Sequence, residues 1–325
     1  MLDTRGSGLA YGEILHTTGE ESSRAMCGIV GLFAKSSAIE ERLGDHLAAM
    51  LAQMSARGPD SAGVAVYRDP VPSGSKLTLY SRDPLYDWEA VRRLLAGAFG
   101  GASVPSVRAS HAVLLVEADA ADAEAWVRQH ATDVRVMSAG SVIEIYKEVG
   151  RPELFSADFS LTDFHGTHAL GHTRMATESR VTTEGSHPFS TGLDLCLVHN
   201  GSLSNHNRLR RTLQREGIEF HTENDTEVAA GYLAWKLREG VSLEQALEDG
   251  IEDLDGFYTF AVGTADGFAV LRDPIACKPA VLAETEDWVA MASEYHAIAV
   301  LPGADDARVW EPEPGIVYVW EKAPV

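Results

Sequence analysis

The residue with the clearest chemical potential in this sequence is Cys27, which follows Met26 directly and precedes the apolar segment 28–33. If a cysteine becomes the first residue of a mature chain, it carries a thiol and a free α-amine. Because an α-amine has a pKa of about 8, it can accept the thiol proton, and one residue then serves as nucleophile and base. The alternative is a buried cysteine that opens a core strand, since free cysteines are among the most buried residues.

Two further segments contain basic residues at positions suited to a binding site. Arg57 lies in Arg-Gly-Pro-Asp-Ser-Ala-Gly, which taken alone is typical of a turn that leads into a strand. Arg174 and Thr177 lie in Gly-His-Thr-Arg-Met-Ala-Thr, and His187 follows in Ser-His-Pro-Phe. An arginine at the end of a strand can bind a carboxylate through two parallel hydrogen bonds. The alternative for Arg174 is a surface ion pair.

Two later segments offer groups that can stabilise charge on a ligand. Asn200 and Gly201 end an apolar strand in Leu-Val-His-Asn-Gly-Ser-Leu, an arrangement that ordinarily makes a hairpin turn. The same geometry can direct the Asn200 amide and the Gly201 N–H toward a developing oxyanion. Asp225 lies in Glu-Asn-Asp-Thr-Glu at the start of a predicted helix. Either Asp225 or Thr226 serves there as a helix cap, or the Asp225 carboxylate is the binding group for a substrate ammonium.

Taken together and in this order, these segments resemble the class II glutamine amidotransferases, whose glutaminase domain belongs to the N-terminal nucleophile hydrolases. The matching motifs run from residue 27 to about residue 300 and include Cys-Gly-Ile-Val-Gly, Arg-Gly-Pro-Asp-Ser-Ala-Gly, Gly-His-Thr-Arg, His-Asn-Gly and Asn-Asp-Thr-Glu. The resemblance implies an α+β fold, a four-layer αββα sandwich of two antiparallel sheets, in which Cys27 starts an inner strand.

The resemblance also implies a role for each matched residue. Cys27 would attack the side-chain amide carbon of L-glutamine and form a γ-glutamyl thioester, while Asn200 and Gly201 stabilise the oxyanion. The substrate would be bound at its two charged ends by Arg174 at the α-carboxylate, Asp225 at the α-ammonium and Thr177 as a lesser contact. Arg57 and His187 would be supporting residues that order the pocket.

The segments 174–179 and 181–189 resemble those of a stand-alone amidotransferase-like subunit of N-methylglutamate synthase, a group that includes GlxB-type glutamate-synthase-like proteins. This resemblance implies that separately encoded glutamate-synthase-like subunits use the ammonia. It implies no cofactor in this chain, and it allows FMN and an iron–sulfur cluster in a partner subunit. Two other functions stay open. One is a stand-alone amide hydrolase of the same superfamily, and the other is a non-catalytic regulatory subunit that binds glutamine.

Composition argues against several classes of function. The 325 residues carry a formal net charge of −21, and both nucleic-acid binding and docking on an anionic membrane depend on clustered Lys and Arg. No apolar run approaches the ~20 residues that span a bilayer. The chain has only three cysteines, Cys27, Cys196 and Cys277. So few cysteines are typical of proteins in a reducing cytoplasm. His165, His168 and His172 lie in a predicted strand, where their spacing would not bring the three side chains together, so we expect no metal site.

The elements that must position these residues are short strands and a few amphipathic helices. Hydrophobic periodicity predicts strands at 27–34 and 62–68 with a helix between them, helices at 204–216 and 225–238, and several short strands after residue 257.

Two stretches differ from the rest of the predicted domain of residues 27–325. The block at about 81–160 has its own helix and strands and a stretch rich in Gly, Ala and Ser, so we predict that it is an insertion. Residues 1–26 contain no apolar core of the signal-peptide type. We interpret them either as a removable pro-segment or as a misassigned start, with Met26 as the true initiator.

Overall fold

A computed structural model of the protein describes residues 27–175 and 181–322. The range 1–26, predicted to be a pro-segment or a misassigned start, lies outside the described residues. The helices are α1 (Ser37–Glu40), α2 (Leu43–Gln53), α3 (Trp88–Phe99), α4 (Ala120–His130), α5 (Pro152–Asp158), α6 (His206–Arg215), α7 (Asp225–Arg238) and α8 (Leu243–Asp253). The strands are β1 (Gly28–Ala34), β2 (Ser61–Tyr67), β3 (Ser75–Tyr80), β4 (Ala102–Arg108), β5 (His111–Val116), β6 (Arg135–Gly140), β7 (Ile143–Val149), β8 (His168–Arg174), β9 (Phe189–Gly192), β10 (Leu195–Leu203), β11 (Gly256–Gly263), β12 (Gly267–Arg272), β13 (Val281–Glu284), β14 (Trp288–Ala292), β15 (Arg308–Trp310) and β16 (Val317–Glu321).

The larger sheet has seven antiparallel strands in the order β15-β13-β14-β1-β8-β2-β7. All seven residues of the central strand β1 are buried. Side chains alternate between the two faces of a strand, so Ile29 and Phe33 enter one apolar core while Val30 and Leu32 enter another. A strand that is buried on both faces must lie between two other layers.

The second sheet has five antiparallel strands in the order β16-β12-β11-β10-β9. On its inner side Val198 and Phe268 share a core with Ile29 and Phe33 of the larger sheet. Helices α6, α7 and α8 cover its outer side, where α7 buries Val228, Tyr232 and Leu233 among others.

Helix α2 covers the remaining face of the seven-stranded sheet. Its buried residues recur at helical spacing and include Leu43, Leu47, Met50 and Leu51. The order of layers is therefore helix, seven-stranded sheet, five-stranded sheet, helices. The predicted α+β class and the four-layer αββα arrangement of two antiparallel sheets are confirmed. No helix in the described ranges is both long enough and apolar enough to cross a membrane.

A separate four-stranded sheet, ordered β4-β5-β3-β6, is formed by the chain between β2 and β7. Helices α3 and α4 pack on it around a core that contains Leu77, Leu114 and Val127. This unit spans 75–140 and overlaps the insertion predicted at about 81–160. Strand β7 lies within the predicted range but pairs with β2 in the seven-stranded sheet.

Candidate active site

Cys27 lies immediately before β1 and beside the end of β8. In the pairing of these two strands Gly28 is opposite Thr173. Arg174, the last residue of β8, therefore lies next to the cysteine. This placement agrees with the sequence-based expectation that Cys27 opens an inner strand and that Arg174 ends one.

Two of the predicted site residues hold the main chain of Cys27. The Asn200 side-chain amide donates a hydrogen bond to the Cys27 carbonyl oxygen at 3.1 Å. Arg57 Nε donates to the same oxygen at 3.3 Å, and the guanidinium of Arg57 is paired with Glu294. Both Asn200 and Arg57 are buried. Residue 27 is thus tied to strand β10 on one side and to the turn before β2 on the other.

The Cys27 thiol lies in an environment of opposing influences. Burial raises its pKa, whereas a hydrogen bond with the Met175 backbone and the positive charges of Arg174, Lys278 and Arg57 lower it. Burial is the largest of these effects, so the pKa of the thiol is raised and the thiol is protonated at neutral pH. Nucleophilic attack by this sulfur therefore requires a nearby base.

Gly201 occupies a position that only glycine fits. Its φ is 148°, and an added Cβ would lie 2.0 Å from the Phe257 carbonyl oxygen and 2.9 Å from His199 Nε2. The alternative interpretation of Asn200 and Gly201 as a hairpin turn is wrong. Strand β10 continues through both residues, and Asn200 pairs with Thr259 of β11.

Asp225 is the first residue of α7. Its Oδ2 accepts the Leu203 N–H at 2.9 Å, and its Oδ1 lies 3.8 Å from His199 Nδ1. The capping oxygen of the helix comes from Asn224, which accepts the Thr226 N–H at 2.8 Å. The interpretation of Asp225 as the side-chain cap is therefore wrong, and its carboxylate is available to a ligand.

Three buried histidines lie beside Asp225. His187 and His199 each contact the Thr226 hydroxyl, at 2.8 Å and 2.9 Å. His172 stacks on His187 with ring centroids 4.0 Å apart. Burial lowers the pKa of His172 to about 3 and also lowers the pKa of His187 and of His199. These imidazoles are therefore neutral at pH 7 and add no positive charge beside Asp225.

Arg174, Gly201 and Asp225 line one cavity of about 800 Å³. Arg174 Nη1 donates to the carbonyl oxygen of Gly185, another wall residue, at 3.0 Å. Cys27 adjoins Arg174 but is not among the described residues of the wall. The four-stranded unit contributes Arg82, Arg128 and Arg135 to the same wall. A guanidinium and a carboxylate on one cavity suit a ligand with both a carboxylate and an ammonium.

Seven of the eight predicted site residues thus lie in one region, connected by hydrogen bonds, strand pairing or a shared cavity wall. The eighth, Thr177, lies outside the described residues. Among the described residues, no group of three or more His, Cys, Asp or Glu side chains could hold a metal ion. Lys147, a buried residue that also lines the cavity, was not among the residues predicted from the sequence. The alternation along β7 places Lys147 on the same face of the strand as Ile143 and Ile145, so the sequence pattern could have indicated a buried lysine.

Comparison with known proteins shows the family. The family model of the glutamine amidotransferase domain matches residues 172–300. The glutamine amidotransferase-like protein GlxB of Rhizobium meliloti (strain 1021) is 55% identical over 297 residues, which cover 91% of this chain and 98% of that protein. The chain belongs to the glutamine amidotransferase family.

Two further similar proteins match this chain over smaller parts of their own length. The amidophosphoribosyltransferase of Archaeoglobus fulgidus is 36% identical over 149 residues, 45% of this chain and 32% of that protein. The solved structure of the glutamine phosphoribosylpyrophosphate amidotransferase from B. subtilis aligns with a TM-score of 0.56 at 21% identity, over 91% of this chain and 47% of that one. This chain therefore shares its fold with about half of that structure.

Proposed function

We propose that this chain is a class II glutaminase, which hydrolyses the side-chain amide of L-glutamine through a thioester on Cys27. One observation carries the proposal. The Asn200 amide lies 3.1 Å from the Cys27 carbonyl oxygen, and the next residue, Gly201, lines a cavity together with Arg174 and Asp225. A nucleophile, oxyanion donors and two binding groups of opposite charge thus adjoin one another.

The proposed reaction begins with the thiol proton of Cys27. Residue 27 has a free α-amine once it is the first residue of the mature chain, and this processing is part of the proposal. The α-amine, with a pKa of about 8, takes the proton that the raised pKa of the thiol otherwise retains. The sulfur attacks the amide carbon, and the Asn200 amide and the Gly201 N–H donate to the oxyanion. The C–N bond breaks, the α-ammonium returns its proton to the leaving ammonia, and water hydrolyses the thioester to glutamate.

Binding groups at both ends of glutamine hold its amide at a fixed place. In the proposal Arg174 binds the α-carboxylate and Asp225 binds the α-ammonium, with Thr177 as a further contact. Arg57 supports the nucleophile through its hydrogen bond to the Cys27 carbonyl oxygen. His187 supports the ammonium site through its contact with Thr226, the neighbour of Asp225.

We also propose that the ammonia passes to a separately encoded glutamate-synthase-like partner, with N-methylglutamate synthase as the favoured instance. The support is the resemblance of segments 174–179 and 181–189 to amidotransferase-like subunits of that enzyme. FMN and an iron–sulfur cluster would then belong to the partner. Glutamine labelled with ¹⁵N in its amide should deliver label to the product of the assembled complex. A product without label would contradict the partner assignment but not the glutaminase.

The glutaminase is tested by trapping the thioester. Chain beginning at Cys27 should release glutamate and ammonia in equal amounts from glutamine, and added hydroxylamine should divert the product to γ-glutamyl hydroxamate. Cys27→Ala should abolish both products, while Cys277→Ala, which removes an exposed cysteine, should retain them. A wild-type chain that binds glutamine without releasing ammonia would refute the proposal and favour the regulatory subunit.

A further inference from the structure

Lys147 is a buried lysine whose side-chain ammonium, among the described residues, donates hydrogen bonds to one loop only. Its side chain lies in β7, and the residue is 4% exposed. The ammonium nitrogen donates to three carbonyl oxygens, those of Glu184 at 3.2 Å, Ser186 at 2.8 Å and Pro188 at 3.1 Å. An ammonium has three N–H groups, so the loop uses every one. No carboxylate in the described part of the chain lies within ion-pair distance of this nitrogen.

The loop fixed by Lys147, residues 184–188, contacts both ends of the proposed glutamine site. The Gly185 carbonyl oxygen, between two of the Lys147 acceptors, accepts a hydrogen bond from Arg174 at 3.0 Å. His187 of the same loop contacts the Thr226 hydroxyl at 2.8 Å, directly beside Asp225. The loop therefore lies behind the groups proposed to bind the α-carboxylate and the α-ammonium.

The neighbouring strand accommodates this loop at close range. Gly63 of β2 is the residue paired with Lys147 of β7. A Cβ at Gly63 would lie 2.1 Å from the His187 carbonyl oxygen and 2.6 Å from the Lys147 Cβ. The main chain of the loop is thus packed directly onto the β2–β7 pair, and its position depends on Lys147 and on the lack of a side chain at residue 63.

We propose that Lys147 is a positioning residue for glutamine binding, whose ammonium holds the loop 184–188 so that Arg174 and Asp225 are correctly spaced for the substrate. This inference rests on the proposed glutaminase function. Lys147 acts through the loop, because its three donors are already used and none is left for a ligand. Its loss should therefore weaken glutamine binding more than it slows the chemical step.

The charges around Lys147 give the inference a pH signature. Glu227 and Glu184 raise its pKa, but burial outweighs them and lowers the pKa of Lys147 to about 8. His111 and His187 also face it, and both are neutral because burial holds their pKa values low. Below pH 8 the ammonium serves all three carbonyls. Above pH 8 a neutral amine has only two N–H groups, so the loop loosens and KM for glutamine rises.

The test compares kcat and KM for glutamine between pH 6.5 and 9.5 in wild-type enzyme, Lys147→Met, Lys147→Arg and Lys76→Met. Lys147→Met should raise KM by about tenfold or more at pH 7 with kcat within about threefold. Lys147→Arg keeps its charge at every pH, so the rise in KM near pH 8 should disappear from its profile. Lys76→Met removes another buried lysine, one paired with Glu144, and should leave KM unchanged. Glutamine's own ammonium titrates equally in all four.

The possible failures are distinguishable. An inactive wild-type enzyme would overturn the proposed function and this inference with it. Active wild-type enzyme with a KM that is flat through pH 8 would overturn the inference alone, and this outcome needs no variant to fold. A Lys147→Met enzyme with wild-type KM would likewise contradict the role of Lys147. So would one whose kcat and KM change by the same factors as in Lys76→Met.

Discussion

The Asp225→Asn substitution removes the charge proposed to bind the substrate ammonium and changes little else. An asparagine at this position retains an oxygen that can accept the Leu203 N–H, which now lies 2.9 Å from Oδ2, so the start of α7 should persist. The carboxylate is 23% exposed and its histidine neighbours are neutral. A hydrogen bond to a charged group is worth about 1.5–3 kcal/mol, so kcat/KM for glutamine should fall about 10- to 150-fold, mainly through KM.

The assay for this prediction is ammonia release at varied glutamine, repeated with glutaramate, the analogue that lacks the α-amine and yields glutarate. Wild-type enzyme should prefer glutamine strongly, and Asp225→Asn should lose most of that preference because the analogue never used the carboxylate. Glu223→Gln is the matched control, since Glu223 is exposed and lines the same cavity. It should change kcat/KM by less than about threefold. Equal losses for glutamine and glutaramate in Asp225→Asn would refute the assignment.

Three other perturbations have outcomes that follow from the structure. Asn200→Ala removes an oxyanion donor and should lower kcat by roughly 10²–10³-fold, measured as steady-state ammonia release; a kcat within a few-fold of wild type would remove Asn200 from the oxyanion site. Gly201→Ala should lower the midpoint of thermal unfolding clearly more than Gly240→Ala. Both glycines have positive φ, but of the two only Gly201 has main-chain atoms within 3 Å of the added Cβ. Equal shifts of the unfolding midpoint would contradict this. Burial lowers the pKa of His168 and of His172 to about 3, below the unfolded value of about 6.5. Each neutral histidine therefore contributes its full stabilisation above pH 6.5 and loses it as the pH falls toward 3. The loss in the free energy of unfolding is on the order of 1 kcal/mol for each pH unit and each histidine. Urea unfolding midpoints that do not fall between pH 7 and pH 5 would contradict this prediction.

The parts of the site that the sequence predicts are those carried by local patterns. The apolar stripe of Leu43, Leu47 and Met50 defines a helix by its spacing alone. Cys27 and Arg174 are recognisable because a reactive residue at the end of an apolar strand is a local feature. These residues meet because β1 pairs with β8, a pairing that the local patterns do not contain.

The parts that escaped prediction depend on contacts between distant segments. Strand β1 pairs with β14, about 260 residues later, and local periodicity carries no information on such a pairing. The assignment of β7 to the seven-stranded sheet was not predictable for the same reason, because it depends on the pairing of β7 with β2. Lys147 donates hydrogen bonds to a loop, and the Thr226 hydroxyl contacts two histidines. These contacts exist only after the layers have packed.

The central claim, that Cys27 is an N-terminal nucleophile in a glutamine site, is tested most directly by intact mass. The intact mass of the purified protein is measured by mass spectrometry before and after treatment with 6-diazo-5-oxo-L-norleucine, a reactive glutamine analogue. We expect a chain that begins at Cys27 and gains one label. Excess glutamine should slow the reaction, and Cys27→Ala should abolish it. A chain that retains residues 1–26 and takes up no label, or one labelled equally well in Cys27→Ala, would contradict it.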